Sequence, residues 1–247
     1  MPTYLIRKLE QFTRLSSDDK QALERAASGK LRRFSSREDI IREGEAPRRV
    51  NLILDGWACR YKVLEDGRRQ IAAFLLPGDL CDIRMFILKH MDHSVGTLSP
   101  ATVVEIPRET ILDLTDNFPR LSRALWWYSL VEEATQREWT TNLGQRDALE
   151  RMAHLLCEVF IRLRGIGLTD GTSCELPVTQ AELADATGLS TVHVNRTLQD
   201  LRARGLVILR GKTLTVPDLE ALQDAALFSP NYLHLDCEGQ ELDANDS

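Results

Sequence analysis

The chain has little cysteine and no cysteine pairs. Its five cysteines, Cys59, Cys81, Cys157, Cys174 and Cys237, are scattered singly, with no CxxC anywhere in 247 residues. An odd, unclustered set argues against a disulfide framework and against a cysteine-based zinc site. Also missing is any apolar run near the roughly 18 residues that a membrane span requires. The N-terminal stretch MPTYLIRKLEQFTRL is amphipathic and lacks the apolar block and cleavage site of a signal peptide, so a cytoplasmic location is expected. Catalytic signatures are absent too. There is no GxSxG, P-loop, HExxH or strand–helix GxGxxG, and the five histidines form no closely spaced set with an acid. The expectation is a protein that is not an enzyme and holds no metal.

Basic residues are outnumbered, 31 Lys and Arg against 37 Asp and Glu, but the imbalance is local. Residues 236–247 carry five acids and no base, and read as a disordered acidic tail. Residues 191–212 carry Arg196, Arg202, Arg204, Arg210 and Lys212 against the single acid Asp200. The acidic total therefore does not exclude a nucleic-acid partner, because phosphates respond to local charge.

Between Lys30 and Arg108, turn glycines recur at Gly44, Gly56, Gly67 and Gly78, separated by β-type runs such as VNLILD, ACRYKVLE and QIAAFLL. Short strands at such spacing predict an antiparallel β-roll with no helices between strands. After Arg108 the period changes. ETILDLTDNFP reads as a short helix stopped at Pro119, and a longer helix spans 120–143. Leu121, Leu125, Tyr128, Thr135 and Trp139 follow a 4-and-3 stripe along it, interrupted by Glu132. Its length favours a dimer helix over a core helix of a monomer. A further helix runs from Gln145 to Gly165 or Gly167, followed by a loop and a short strand at Leu176–Val178.

The stretch TQAELADATGLSTVHVNRTLQDLRARG is the most specific part of the chain. Thr179 and Glu182 form a capping box, Gly188 supplies a left-handed turn, and Ser190 can cap the next helix. Val194 and Leu198 anchor that second helix, and GLVILRGKTLTV then alternates about Arg210-Gly211-Lys212 like a hairpin. Two helices followed by a hairpin make a winged helix-turn-helix. The fold class is thus α+β, divided into a roll with an N-terminal helix (1–108), the two linking helices (109–144), the winged helix-turn-helix (145–235) and the tail (236–247).

With its spaced glycines, long helix and terminal GLSTVHVNRTLQDLRARGLV, the chain resembles the bacterial CRP/FNR transcription regulators over about residues 12 to 220. The resemblance implies a homodimer on near-palindromic double-stranded DNA, with RNA polymerase as a further partner. It implies base reading by Thr191, Val192, Asn195 and Arg196, and phosphate contacts from Thr179, Ser190, His193 and Lys212. Arginine suits guanine O6 and N7. Valine stands at 192 where the family usually has glutamate, so the preferred site should differ. Within PGDLCDIRMFILKHMDHSVGTL, Ile83 and His93 stand where cyclic-nucleotide members carry a ribose-binding glutamate and a phosphate-binding arginine, so cyclic AMP is not expected to bind. The first cysteine, Cys59, lies far from the N-terminal region where oxygen sensors hold their iron–sulfur cluster. A haem-based sensor, with Cys81, His90, His93 and Pro2 as candidates, or a thiol-based one, with Cys81, Cys59 and Cys157, remains an alternative. So does a scaffold that does not bind DNA.

Overall fold

A computed structural model describes residues 3–83 and 87–240. The order begins with helices α1 (Thr3–Leu9) and α2 (Ser17–Ala26). Eight strands follow: β1 (Lys30–Phe34), β2 (Asp39–Ile41), β3 (Arg49–Asp55), β4 (Ala58–Val63), β5 (Arg69–Leu75), β6 (Leu80–Cys81), β7 (Ser94–Thr97) and β8 (Ala101–Pro107). They form two four-stranded sheets, ordered β1-β8-β3-β6 and β2-β7-β4-β5. The β1–β8, β3–β8, β3–β6, β2–β7 and β4–β7 pairings are antiparallel. Phe34, Ile53, Leu75, Cys81, Val95 and Val103 fill the roll's interior. The repeated glycines sit at positive φ in its turns. At Gly56 an added Cβ would also lie 2.2 Å from the Pro100 carbonyl oxygen, so no side chain fits there.

Helices α3 (Arg108–Asn117) and α4 (Pro119–Gln145) follow. The chain then folds as α5 (Ala148–Gly165), β9 (Thr169–Asp170), β10 (Ser173–Glu175), α6 (Gln180–Thr187), α7 (Thr191–Ala203), β11 (Ile208–Arg210), β12 (Thr213–Thr215) and α8 (Leu219–Ala226). The short strand expected at Leu176–Val178 instead lies upstream. Cys174 points inward and pairs with Leu214, whereas Pro177 has no N–H for a ladder.

Two compact units result, with boundaries unlike the predicted domains. One comprises residues 1–62, 73–133 and 233–247, the other 63–72 and 134–232. The tip of the β4–β5 hairpin thus clusters with the helix-turn-helix. Arg69 Nε meets Asp185 Oδ2 at 2.8 Å, and Gln136 Nε2 donates to the Ala72 carbonyl at 2.7 Å. The predicted tail also divides differently. Cys237 N–H donates to the Gln11 carbonyl and Gly239 N–H to that of Phe12, so residues 237–240 are packed, held by backbone bonds their acidity does not weaken. Residues 241–247 lie outside the described residues.

The stripe assigned to dimerisation is buried within the single chain. Leu121, Leu125 and Tyr128 join the core formed with α1, α2 and β3, and Thr135 and Trp139 are buried in the other unit. Periodicity marks a buried face but not what covers it. The exposed apolar residues of α4 are Trp126, Leu130 and Leu143.

Polar groups lock the core of the second unit. Glu158 is fully buried and accepts from Trp139 Nε1 at 3.0 Å, Tyr232 Oη at 2.9 Å and Arg162 Nη1 at 3.2 Å. His154 is also fully buried, stacked on Tyr232 and bonded through Nδ1 to Asn142 at 2.9 Å. Glu138 lies 3.2 Å from its Nε2 without hydrogen-bond geometry, and Arg146 holds that carboxylate at 2.6 Å. Burial, aided by the Arg146 charge, pushes the imidazole down from 6.5 to about 3. The unfolded chain takes up this proton near pH 6.5, whereas the folded chain does not until about pH 3. The histidine's contribution is therefore complete above 6.5 and declines on acidification, by up to about 1.4 kcal/mol per pH unit. Urea unfolding at about pH 7 and about pH 5 should show this slope in the wild type. In His154→Phe that component should be absent.

Candidate nucleic-acid interface

Thr179 caps α6 as expected, its Oγ1 accepting from Glu182 N–H at 3.2 Å and donating to Glu182 Oε2 at 2.8 Å. α6 ends at Gly188, whose φ of +66° gives the left-handed turn. A Cβ there would press on Leu143 at 3.2 Å, so glycine is required on two counts. Arg151 Nη1 donates to the Thr187 carbonyl at 2.7 Å, satisfying an oxygen that the helix end leaves open. Ser190 Oγ then accepts from His193 N–H at 3.2 Å and starts α7.

Val194, Thr197, Leu198 and Leu201 bury one side of α7. That fixes which side faces out: Thr191, Val192, His193, Asn195, Arg196 and Gln199 are exposed. Val192 is 79% exposed, a large apolar side chain with nothing covering it. Arg196 has no ion-pair or hydrogen-bond partner among the described residues, which leaves its fork open. The structure thus places all four expected base-reading residues on one solvent-facing surface of one helix.

The phosphate candidates differ among themselves. Ser190, His193 and Lys212 are exposed, but the Thr179 hydroxyl is occupied by its own cap. Lys212 sits in the β11–β12 turn, where its carbonyl accepts from Leu176 N–H at 2.7 Å. Arg202, Arg204 and Arg210 are exposed as well, so the basic character of 191–212 lies at the surface. Sequence reasoning missed Gln180, whose Oε1 accepts from Asn195 Nδ2 at 3.3 Å. The only signal available was the crossing of α6 and α7, which brings together residues 15 apart.

The sensor candidates sit in different settings. Cys81 is fully buried in the roll core, and burial pushes its thiol far above the usual range, opposite to what a reactive thiol needs. His90 is exposed and its Nδ1 donates to the Gly44 carbonyl. His93 sits between two aspartates, Nε2 to Asp82 Oδ2 at 2.8 Å and Nδ1 to Asp92 Oδ1 at 2.6 Å. Burial disfavours its charged form, but these two carboxylates outweigh that and raise its pKa. A haem iron would need ligands facing a common space, and a thiol enclosed by Phe34, Ile53 and Val103 does not fit that role. Pro2 lies outside the described residues.

His93 belongs instead to an ion cluster. Arg60 on β4 reaches Asp82 at 3.2 Å and Glu132 of α4 at 2.7 Å. Tyr128 Oη adds a bond to Glu132 at 3.2 Å and accepts from Leu80 N–H at 3.1 Å. Glu132, the residue that broke the α4 stripe, is therefore a partner of a mostly buried guanidinium.

Residues 31–118 match the cyclic nucleotide-binding domain, and residues 150–225 the Crp-like helix-turn-helix domain. Together these cover about two thirds of the chain. The chain belongs to the CRP/FNR family of transcription regulators. The nitrogen fixation regulation protein FixK of Azorhizobium caulinodans is 28% identical over 184 residues, 74% of this chain and 73% of that protein. The transcriptional activator FnrL of Cereibacter sphaeroides is 27% identical over 199 residues, 79% of each. In fold, the chain is similar to FixK2 from Bradyrhizobium japonicum, with a TM-score of 0.71 at 24% identity over 81% of this chain and 98% of that one. This CRP/FNR member is accordingly a DNA-binding transcription regulator, from a family whose members are not enzymes.

Removing the cation of the ion cluster should be costly. Arg60→Met leaves Asp82 and Glu132 facing each other, and a loss of about 2–3 kcal/mol is expected after allowing for their partial exposure. Urea unfolding measures it. The double variant Arg60→Met/Glu132→Met should recover part of the loss.

Proposed function

We propose that the protein works in the cytoplasm as a homodimer that reads a near-palindromic site with Thr191, Val192, Asn195 and Arg196. The observation that carries this is the uncovered Val192–Asn195–Arg196 surface on a helix whose opposite side is anchored in the core. Arg196 donates to guanine O6 and N7, and Asn195 suits adenine N6 and N7. Val192 packs on a thymine methyl, where a glutamate would accept from cytosine N4. Ser190, His193, Lys212 and Arg210 hold the backbone and set register without specifying sequence.

Dimerisation uses the side of α4 opposite the buried stripe. Trp126 and Leu130, one helical turn apart, are 63% and 58% exposed, a placement that supports pairing with the same side of a second copy. The two reading helices would then enter successive major grooves about 34 Å apart. RNA polymerase is the further partner. At the roll, the tethering of His93 by two carboxylates supports a site that does not take a cyclic nucleotide. The burial of Cys81 supports neither a thiol switch nor haem. No helix among the described residues is long and apolar enough to cross a membrane.

Selection from a randomised DNA pool tests the reading face. Arg196→Ala should lose discrimination at one position per half-site, worth about 1–3 kcal/mol, while Val192→Glu should shift the preference at its own position toward cytosine. Unchanged preferences in both variants would refute the assignment. Binding that is also insensitive to salt would favour a scaffold role instead, because phosphate contacts make affinity fall steeply as salt rises.

The α4 surface is tested separately by sedimentation. Trp126→Glu/Leu130→Glu should sediment as a monomer at concentrations where the wild type is dimeric. Its affinity for a full palindrome should fall about tenfold or more, as expected when half-sites bind independently.

A further inference from the structure

Asn195 does not stand alone on the reading surface. Its Nδ2 donates to Gln180 Oε1 at 3.3 Å, a bond between two exposed carboxamides from different helices of the same compact unit. Gln180 is the first residue of α6, and the neighbouring cap holds its backbone in place. Thr179 N–H donates to Glu182 Oε2 at 2.7 Å, and Glu182 N–H donates to Thr179 Oγ1 at 3.2 Å. The backbone of Asn195 is fixed by the burial of Val194 and Leu198 on the opposite side of α7. The two side chains therefore meet from set starting points, and neither makes another hydrogen bond among the described residues.

A carboxamide has a donor at one end and an acceptor at the other, in nearly the same shape, so turning it over reverses what it can recognise. The bond to Gln180 turns the Asn195 nitrogen toward α6 and leaves Oδ1 and the second Nδ2 hydrogen unpaired. Adenine needs that combination, an acceptor for N6–H and a donor for N7. Guanine offers two acceptors, so an Oδ1 held in this orientation opposes O6. Gln180 could turn over as well, but phosphate oxygens accept and never donate. A phosphate beside α6 can take only the Nε2 end of Gln180, which leaves Oε1 for Asn195, the same polarity as in the structure.

We propose that Gln180 is a positioning residue for base recognition. It fixes the polarity of the Asn195 carboxamide and so sets a preference for adenine over guanine at the base pair that Asn195 meets. This rests on the assignment of Asn195 to the reading face. It adds a residue that touches no base, yet lets a backbone contact govern a sequence preference.

The test titrates the full chain against duplexes carrying its selected palindrome, with each half-site position varied through the four base pairs. Asn195→Ala identifies the position that Asn195 reads. There, Gln180→Ala should lower the preference for adenine over guanine about threefold or more, the worth of one neutral hydrogen bond. The position read by Arg196 should not change. Gln180→Glu keeps an acceptor for Asn195 and should keep the preference, while affinity falls equally on every duplex because a carboxylate repels phosphate. In Gln180→Ala/Asn195→Ala the preference should match that of Asn195→Ala, since Gln180 acts through Asn195. An unchanged preference in Gln180→Ala would overturn the proposal and leave Asn195 as a base reader. So would an equal relaxation at the Arg196 position, as a merely structural role would give, or a further loss in the double variant, as direct base contact by Gln180 would give. If Asn195→Ala alters no position, the assignment of Asn195 and the role of Gln180 fail together.

Discussion

A guanidinium kept mostly from water must be surrounded by acceptors, and Arg60 sets that requirement for the roll. Its partners come from two separate places, Asp82 just after β6 and Glu132 near the middle of α4. Asp82 also holds His93, and Glu132 also meets the Tyr128 hydroxyl. Strand, turn and helix are thereby bound through one set of charges whose members cannot leave singly without stranding the others. Tyr128 completes the set by bonding the backbone of Leu80 while its ring lies in the core.

α4 carries a different kind of constraint. Its residues up to Glu133 belong to one compact unit and those from Ala134 to the other, yet it is continuous from Pro119 to Gln145. In the first unit its contribution is chiefly apolar, through Leu121, Ala124, Leu125 and Tyr128. In the second it is more polar, through Trp139 on Glu158 and Asn142 on His154. Polar bonds of this kind are strongly directional, so they specify the register of α4 against α5 more narrowly than apolar contact would.

The exposed side of α7 is set by packing within the second unit. α7 faces outward as it does because Val194, Leu198 and Leu201 are buried, and α6 supports it through a capped start and a glycine turn. Exposed residues such as Val192 and Arg196 are then free of folding duties. That separation lets a family keep one scaffold while changing which bases it prefers.

The amino-acid sequence alone determined the elements whose causes are local. The Thr179–Glu182 box, the Ser190 cap and the left-handed turns at Gly188 and the roll's glycines each arise within a few residues, where spacing is the geometry, whereas the approach of Pro100 to Gly56 and of Leu143 to Gly188 does not. The outward side of α7 followed from the same periodicity. The tertiary structure alone decided matters that depend on residues far apart in the chain. Leu121, Leu125 and Tyr128 form a buried stripe on any reading, but whether a twin or the chain's own roll covers it is a question of packing. Glu132 looked like an interruption because Arg60, its partner, is 72 residues away. Cys81 stayed open as an alternative sensor residue because sequence does not show the core that encloses it, and Gln180 was invisible until α6 and α7 crossed. Local hydrogen bonds and turn sterics leave a mark in sequence spacing, whereas burial and ion pairing are set by which distant surfaces meet.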